Sequence, residues 1–207
     1  MIALQALRLG FSLAVLIPAG TTHGAEGRVE RVSGVEASPG TLVPYLEAEG
    51  YRTVRSDGSV AAEIWLARQV PKLDDGVLVG LVRLTSEGHD VRERIVPPGT
   101  YTLRYSTIPA GDRHEGCMRN PEFVVLIPAS EDTEAERRLA YDEMMTLSGQ
   151  ILGRRHPVAW QVQRGRSPAS APAFHEDGNG LAWLQVPLTL GTNRVAFSVY
   201  VRGSLSR

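Results

Sequence analysis

The residues best suited to chemistry lie together in one loop of this 207-residue chain, between positions 108 and 121. Within seven residues the loop carries a carboxylate, an imidazole, a second carboxylate, a thiol and a thioether: Asp112, His114, Glu115, Cys117 and Met118. Imidazole, thiolate and thioether groups are the ligands of copper proteins, and His156 and His175 are further candidate ligands elsewhere in the chain. The loop is therefore the first candidate for a metal, catalytic or binding site.

The spacing in the loop does not match a common metal motif. Blue-copper sites take Cys, His and Met in that order with gaps, whereas His114 here precedes an adjacent Cys117 and Met118. A zinc site would need an HExxH or paired-cysteine spacing, and neither is present. Copper or zinc thus remains an alternative, with candidate ligands His114, Cys117, Met118, His156 and His175.

A catalytic interpretation of the loop is weaker still. Asp112 could orient His114, and His114 could lower the pKa of the Cys117 thiol. However, the chain has no GxSxG, glycine-rich phosphate loop or SxxK motif. In the simpler interpretation Asp112 makes an Asx-type turn and His114 bonds a backbone carbonyl. We therefore expect a non-catalytic binding surface of Asp112, His114, Glu115 and His156, with a hydrolase using Asp112 and His114 as the third alternative.

A site shared by His114 and His156 sets a geometric condition. Forty-two positions separate the two residues, so the loop and the strand that starts near position 158 must emerge at the same end of the fold. Imidazoles more than about 10 Å apart exceed the span of one metal ion or one bridging water. In such a site Asp112 would orient one imidazole through its second nitrogen.

The first 24 residues predict export. Arg8 precedes nine mostly apolar residues and then a small-residue stretch that ends at Gly24. The apolar run is too short for a bilayer core of about 30 Å, and the three zones are those of a secretory signal peptide. We expect cleavage before Ala25, a periplasmic or secreted protein, and one domain over residues 25–207.

The composition limits the partners. The chain has 22 basic and 23 acidic residues, and its basic residues form no run longer than a pair. Nucleic acid and anionic membranes are poor candidates because both need a concentrated positive patch. The single cysteine makes no intrachain disulfide, so stability must come from an ordinary core. We expect a small-molecule or protein partner, no stable membrane insertion after signal removal, and no cofactor unless the copper or zinc alternative holds.

Short apolar runs separated by Gly, Pro, Asn and Asp turns predict an all-β fold. We expect an antiparallel β-sandwich of Ig-like or jelly-roll-like type. The candidate strands are 42–48, 51–54, 62–67, 77–84, 91–96, 100–106, 123–127, 158–163, 181–190 and 194–202. Strands 77–84 and 123–127 are apolar on both faces, which predicts central places in a sheet.

Period-2 patterns predict which strand faces are buried. The predicted core includes Tyr101, Leu103, Val125, Phe197 and Val199. In strand 194–202 the opposite face, which includes Ser198, is expected to meet water. Residues 191–193 predict a hairpin between the last two strands.

One helix is expected near 133–152. Thr133 and Glu136 have the spacing of a capping box, and Ala140, Met144, Leu147 and Ile151 follow at helical intervals. This helix is expected to cover the sandwich.

Several sequence blocks carry a resemblance. They are 51–58, 62–65, 98–105, 111–116, 123–129 with Glu131-Asp132, and His156-Pro157, and the most specific is PGTYTLRY at 98–105. With these blocks the chain resembles a group of uncharacterised secreted bacterial β-sandwich proteins. In that group Asp112, His114 and His156 match recurring positions, whereas Cys117 and Met118 depart from the usual small or apolar residues. The resemblance implies export and the fold, and it implies no reaction.

The signal-peptide interpretation makes a direct prediction. Mass spectrometry of the exported protein should find Ala25, or a residue within a few positions of it, at the N-terminus, because the small residues before it fit a signal peptidase. An exported chain that keeps Met1 would contradict the interpretation.

Overall fold

The computed structural model describes residues 27–34, 40–55, 57–108, 120–154, 156–165, 171–177 and 180–202. The described part is all-β apart from one short helix. Its strands are β1 (Arg28–Ser33), β2 (Glu49–Val54), β3 (Val60–Leu66), β4 (Leu78–Leu84), β5 (Gly88–His89), β6 (Ile95–Val96), β7 (Gly99–Thr107), β8 (Glu122–Pro128), β9 (Ala159–Arg164), β10 (Ala173–Glu176), β11 (Ala182–Leu190) and β12 (Asn193–Arg202). The helix α1 is Tyr141–Gly149, and 3-10 turns occupy Val43–Tyr45 and Gln150–Leu152.

Ten strands form one antiparallel sheet in the order β1-β2-β3-β4-β7-β8-β9-β12-β11-β10. The two edge strands, β1 and β10, contact each other. At their meeting point a Cβ on Gly27 would lie 2.3 Å from the Phe174 ring. The sheet is therefore curled until it is nearly barrel-shaped, and the predicted all-β antiparallel class is confirmed.

Because each neighbouring pair of strands is antiparallel, the connections alternate between two ends of the sheet. The upper end is defined by the connections 34–48, 67–77, 108–121, 165–172 and 191–192. The lower end is defined by the connections 55–59, 85–98, 129–158 and 177–181. Loop 108–121 and His156 thus belong to connections at opposite ends.

The inner face of the curled sheet carries the main core. Every second residue of the long strands points inward, and two of the largest side chains there, Trp160 and Phe197, are at most 1% exposed. The five predicted core residues are all buried: Tyr101, Leu103, Phe197 and Val199 on the inner face, and Val125 on the outer face. Full burial of one such side chain adds about 1.5–3 kcal/mol to the free energy of unfolding.

The outer face is covered over its central strands. Leu42 and Leu46, in the connection that follows β1, pack on Trp65 and Leu81. Met144 of α1 packs in a second cluster with Phe123, Val125, Ile127, Leu139 and Ala159. Strands β4 and β8 are therefore buried on both faces and central in the sheet, as their apolar sequences predicted.

Two predicted strands are mostly wrong. Val43–Tyr45 is a 3-10 turn because Pro44 suits a first turn and has no N–H for a strand ladder. In the predicted strand 91–96 only Ile95–Val96 pairs. The reason is that Asp90 Oδ1 accepts the backbone N–H groups of Arg92 and Arg94, each at 2.9 Å, and holds this part of the chain in a turn.

The helix prediction is right in its existence and wrong in its start. α1 begins at Tyr141, and the residues of the expected capping box, Thr133 and Glu136, are not helical. The carbonyls of Glu134 and Arg137 accept hydrogen bonds from the Arg104 guanidinium at 2.8 and 2.7 Å. These long-range hydrogen bonds hold residues 134–137 in a non-helical conformation, so the predicted capping box does not start a helix.

Arg104 lies on the outer face of β7, and its side chain is fully buried. Its Nε and Nη2 donate to the two carboxylate oxygens of Asp132 at 2.7 and 2.6 Å. Thr102 Oγ1 donates to the same carboxylate at 2.6 Å, and Arg104 Nη1 donates to the Gly76 carbonyl at 3.1 Å. The network holds segment 129–140 against the sheet.

Removing the guanidinium should destabilise the fold strongly. Arg104→Met leaves the Asp132 carboxylate buried and unpaired, which costs about 3–5 kcal/mol. The control is Arg137→Gln, because the Arg137 side chain is half exposed in its pair with Glu143 and such pairs contribute about 0–1 kcal/mol. Urea unfolding of each variant measures its loss of stability, and equal losses would contradict the role assigned to Arg104.

Candidate binding surface

The base of loop 108–121 is fixed on the sheet at the upper end. The Ile108 N–H donates to the Pro121 carbonyl at 3.1 Å. Asn120 Nδ2 donates to the Val162 carbonyl at 2.5 Å, and Gln161 Nε2 donates to the Asn120 carbonyl at 3.0 Å. The loop therefore starts and ends on the ladder of β7, β8 and β9.

A polar network lies beneath this base. Tyr105 donates its hydroxyl to Glu122 Oε1 at 2.7 Å, and the Arg164 guanidinium donates to the same oxygen. Burial and the neighbouring carboxylate raise the pKa of Tyr105 far above its ordinary value, while the hydrogen bond to Glu122 raises the pKa of Arg164. Charge-assisted bonds of this kind are stronger than neutral ones, so the network ties together the upper ends of three strands.

The predicted site residues of the loop fall in the stretch 109–119, which lies outside the described residues. They are Asp112, His114, Glu115, Cys117 and Met118. The structure thus places the loop's two anchors and leaves the predicted contacts of these five side chains as predictions.

His156 lies at the lower end, before β9. Arg94 Nη1 donates to the His156 carbonyl at 3.4 Å, and Arg94 also donates to the Pro157 carbonyl. The same guanidinium donates from Nε to Asp90 Oδ2 at 2.8 Å. The contacts of this corner therefore fix the backbone that leads into β9.

The strand register separates His156 from the loop base. Phe123 pairs with Gln161 and Val125 pairs with Ala159, so β9 starts at the lower end and finishes beside the loop. His156 precedes Gln161 by five residues, or about 16 Å of extended chain. Because β9 runs antiparallel to β8, the start of β9 and the base of the loop lie at opposite ends of the sheet. A site shared by His114 and His156 stays a prediction, since His114 lies outside the described residues.

His175 lies elsewhere on the sheet. It is on β10, separated from β9 by β11 and β12, which amounts to about 14 Å across three strand spacings. Among the residues that the structure describes, no group of three or more His, Cys, Asp or Glu side chains is placed to hold a metal ion.

His175 belongs instead to a row of rings on the outer face. Its ring stacks on Trp183 with a centroid distance of 4.8 Å, and Trp183 stacks on Tyr200 at 5.9 Å. Tyr200 donates its hydroxyl to Gln163 Oε1 at 3.0 Å. The row follows the register of three adjacent strands, since His175 pairs with Trp183 and Trp183 with Tyr200.

A second row of polar side chains lies beside the rings. Gln185 pairs with Ser198, and Ser198 pairs with Gln163. Ser198 was expected to meet water, and that prediction is wrong, because only 7% of this residue is exposed. We name these two rows, on the outer face of β9, β12, β11 and β10, the neutral face.

Charge distinguishes the neutral face from the rest of the outer surface. On β1 to β4 the register brings Glu30, Arg52, Glu63 and Arg83 into one line of alternating charge. In the described outer positions of β9 to β12 the charged side chains are Arg194 and Arg202, at the two ends of β12. Sequence reasoning missed this face, although the alternation of Trp183, Gln185 and Pro187 with buried Leu184 and Val186 was a readable signal.

A groove of about 610 Å³ lies beside α1. Its polar side chains, Asp142, Thr146, Gln150 and Arg154, all belong to exposed residues. A small-molecule site needs polar groups held in fixed convergent positions, and this groove does not supply them.

Comparisons with known protein families, curated proteins and solved structures found no match. Within the described part of the chain, the helices are too short and too polar to cross a bilayer. The function is therefore argued from the geometry of the molecule.

The buried tyrosines predict how stability depends on pH. Burial raises the pKa of Tyr51, Tyr101, Tyr105 and Tyr200 above the ordinary value of about 10. The protonated form is favoured in the folded state, so the stabilisation is complete below about pH 10 and is lost as the pH rises further.

Tyr105→Phe tests this prediction, with Tyr45→Phe as the control because Tyr45 is exposed. The free energy of unfolding should fall less steeply above pH 10 in Tyr105→Phe than in the wild type, and Tyr45→Phe should follow the wild type. The slope is the readout, since loss of the hydrogen bond to Glu122 lowers stability at every pH. Equal slopes in the two variants would show that Tyr105 does not contribute.

Proposed function

We propose that the protein is an exported, non-catalytic binding or accessory module of the β-sandwich class. Its ligand meets the upper end, around loop 108–121, and the proposed contacts are Asp112, His114 and Glu115. The observation that carries the proposal is the clamp on the loop base, where Asn120 and Gln161 fix one end to β9. Recognition loops typically extend from such rigid scaffolds.

The buried charges of the described part support a binding role over catalysis. Asp132 is paired with Arg104, Asp90 with Arg94, and Glu63 with two arginines. Each of these carboxylates accepts hydrogen bonds from an arginine side chain and thereby stabilises the fold. A general acid or base must be within reach of substrate and free to exchange a proton, and these carboxylates are already occupied.

The position of His156 narrows the proposed surface. It was expected to join the loop residues, and the register puts it at the opposite end of β9. Its backbone carbonyl accepts a hydrogen bond from Arg94. We therefore assign His156 to the lower corner and leave the ligand to the loop.

Export is part of the same proposal. The signal-peptide pattern of residues 1–24 supports it, and the mature protein would act in the periplasm or outside the cell.

Site-specific photo-crosslinking tests the binding surface. A photoreactive amino acid at Glu115 should capture a ligand or partner in the cell envelope, because this position lies in the proposed surface. The matched control carries the same group at Glu131, an exposed residue of the lower-end connection 129–158. Equal adducts at both positions, or none at Glu115, would overturn the proposal.

Elemental analysis separates the metal alternative. The mature protein, purified from the periplasm of its own host, is expected to hold no stoichiometric copper or zinc. A stoichiometric metal that is lost in His114→Ala would replace the proposal with a metal-binding function. In that case Cys117→Ala and Met118→Ala should each bind the metal more weakly than the wild type, since both are candidate ligands.

A further inference from the structure

We infer that Asp75 is a positioning residue for loop 108–121, the loop that the proposed function assigns to ligand binding. The inference rests on that proposed function and adds the residue that fixes where the loop leaves β7. Asp75 lies outside the loop, in the upper-end connection 67–77. Its Oδ1 accepts the backbone N–H of Thr107 at 2.7 Å and the Thr107 hydroxyl at 3.3 Å, directly before the loop begins.

The end of β7 needs this side-chain acceptor because strand β4 does not reach it. The ladder between β4 and β7 ends at residue 104. Tyr105 pairs instead with the connection, since the Gly76 N–H donates to its carbonyl at 2.8 Å. The next N–H on that side of the strand belongs to Thr107, and the Asp75 carboxylate is its partner. A bond from a backbone N–H to a carboxylate is stronger than one to a neutral acceptor, so the strand end is firmly held.

The backbone that carries Asp75 is itself tightly packed. Gly76 has a φ of +82°, and a Cβ on it would lie 2.0 Å from the Leu139 carbonyl oxygen, so this position requires glycine. Arg138 Nε donates to the Asp75 carbonyl at 2.6 Å. Arg104 Nη1 donates to the Gly76 carbonyl at 3.1 Å. These contacts fix the place from which the carboxylate reaches Thr107.

The middle of the connection is attached to another part of the sheet. Val70 is fully buried in the main core, and its N–H donates to the Thr189 carbonyl at 3.0 Å. The Val70 carbonyl accepts the N–H of Gly191 at 2.8 Å, and Leu73 packs on the same core. The connection therefore joins the last hairpin, at the end of β11, to the end of β7. Through Asp75 the start of the loop is tied to the whole upper end of the sheet.

Both ends of the loop are thus held by elements outside it. Asp75 holds Thr107 at the first end, and β9 holds Asn120 at the second. A binding surface whose supports are fixed loses less entropy when it takes up a ligand. Removal of the Asp75 carboxylate should therefore weaken ligand capture by the loop.

Amide hydrogen exchange of the mature protein, followed by NMR, tests the positioning role. In Asp75→Ala the Thr107 amide should exchange about tenfold faster or more, because it loses a hydrogen bond to a charged group. The Leu126 amide, which donates to the Val158 carbonyl at 2.9 Å within the sheet, reports general loss of stability and should change less. Asp75→Asn keeps an oxygen acceptor, so its Thr107 amide should exchange at a rate close to that of the wild type.

The matched control is Asp74→Ala. It removes the neighbouring carboxylate, which pairs with Lys72 at 2.9 Å and with Arg138 at 3.8 Å. Such partly exposed pairs contribute little to stability, so exchange at Thr107 should stay within about twofold of the wild type.

Photo-crosslinking at Glu115 extends the test to the ligand. Asp75→Ala should lower the yield of adducts severalfold, Asp75→Asn should restore most of it, and Asp74→Ala should leave it unchanged. The inference is overturned if Thr107 exchange rises no more than Leu126 exchange in Asp75→Ala, or if Asp75→Asn behaves like Asp75→Ala. It is also overturned if Asp74→Ala has the same effects.

The inference and the proposed function fail in different ways. Adducts at Glu115 that do not depend on Asp75 would leave the proposed function standing and overturn the inference. No adducts at Glu115 in the otherwise wild-type protein would overturn the proposed function. The exchange rates of Thr107 would then decide alone whether Asp75 positions the loop.

Discussion

The buried pair of Arg104 and Asp132 is the interaction on which the outer architecture depends. A guanidinium on the outer face of β7 cannot remain buried unless its donors are satisfied, and the chain that satisfies them is the connection after β8. To make these hydrogen bonds, segment 129–140 crosses the sheet in a non-helical conformation, and the helix begins at Tyr141. α1 then lies on β8 and returns the chain to the lower end, where β9 starts. The place of His156 follows from this route.

Because segment 129–140 and α1 cover only the central strands, the outer face of the sheet is divided into regions that differ in burial and charge. The central strands are covered by chain segments and serve stability. Strands β1 to β4 also carry cross-strand ion pairs, in which Glu63 is held between Arg52 and Arg83. On β9 to β12 the face is neutral, partly exposed and hydrogen-bonding. The inner face of the described strands carries the main hydrophobic core.

Much of the sheet could be predicted from the sequence because burial on a strand repeats every second residue. The phases of β7, β8 and β12 and the last hairpin follow from local alternation and turn residues. Local patterns could not show that Arg104 would donate hydrogen bonds to the carbonyls of Glu134 and Arg137. They also could not show that the charged segment 28–33 would form strand β1 and pair with β2. The site was harder still. The ring row needs the order β10-β11-β12, which no local pattern contains. Local patterns also could not show that the base of loop 108–121 and the start of β9 lie at opposite ends of the sheet.

The two sheet edges determine whether another chain can pair with the sheet. Exposed strand edges allow other chains to pair, and proteins block them with short strands and charged side chains. Strand β10 has only four residues, and on β1 the exposed Arg31 pairs with the exposed Glu49. Near Gly27 and Phe174 the edges meet so closely that a side chain larger than glycine's has no room. The pairing of a further strand with either edge is thereby disfavoured.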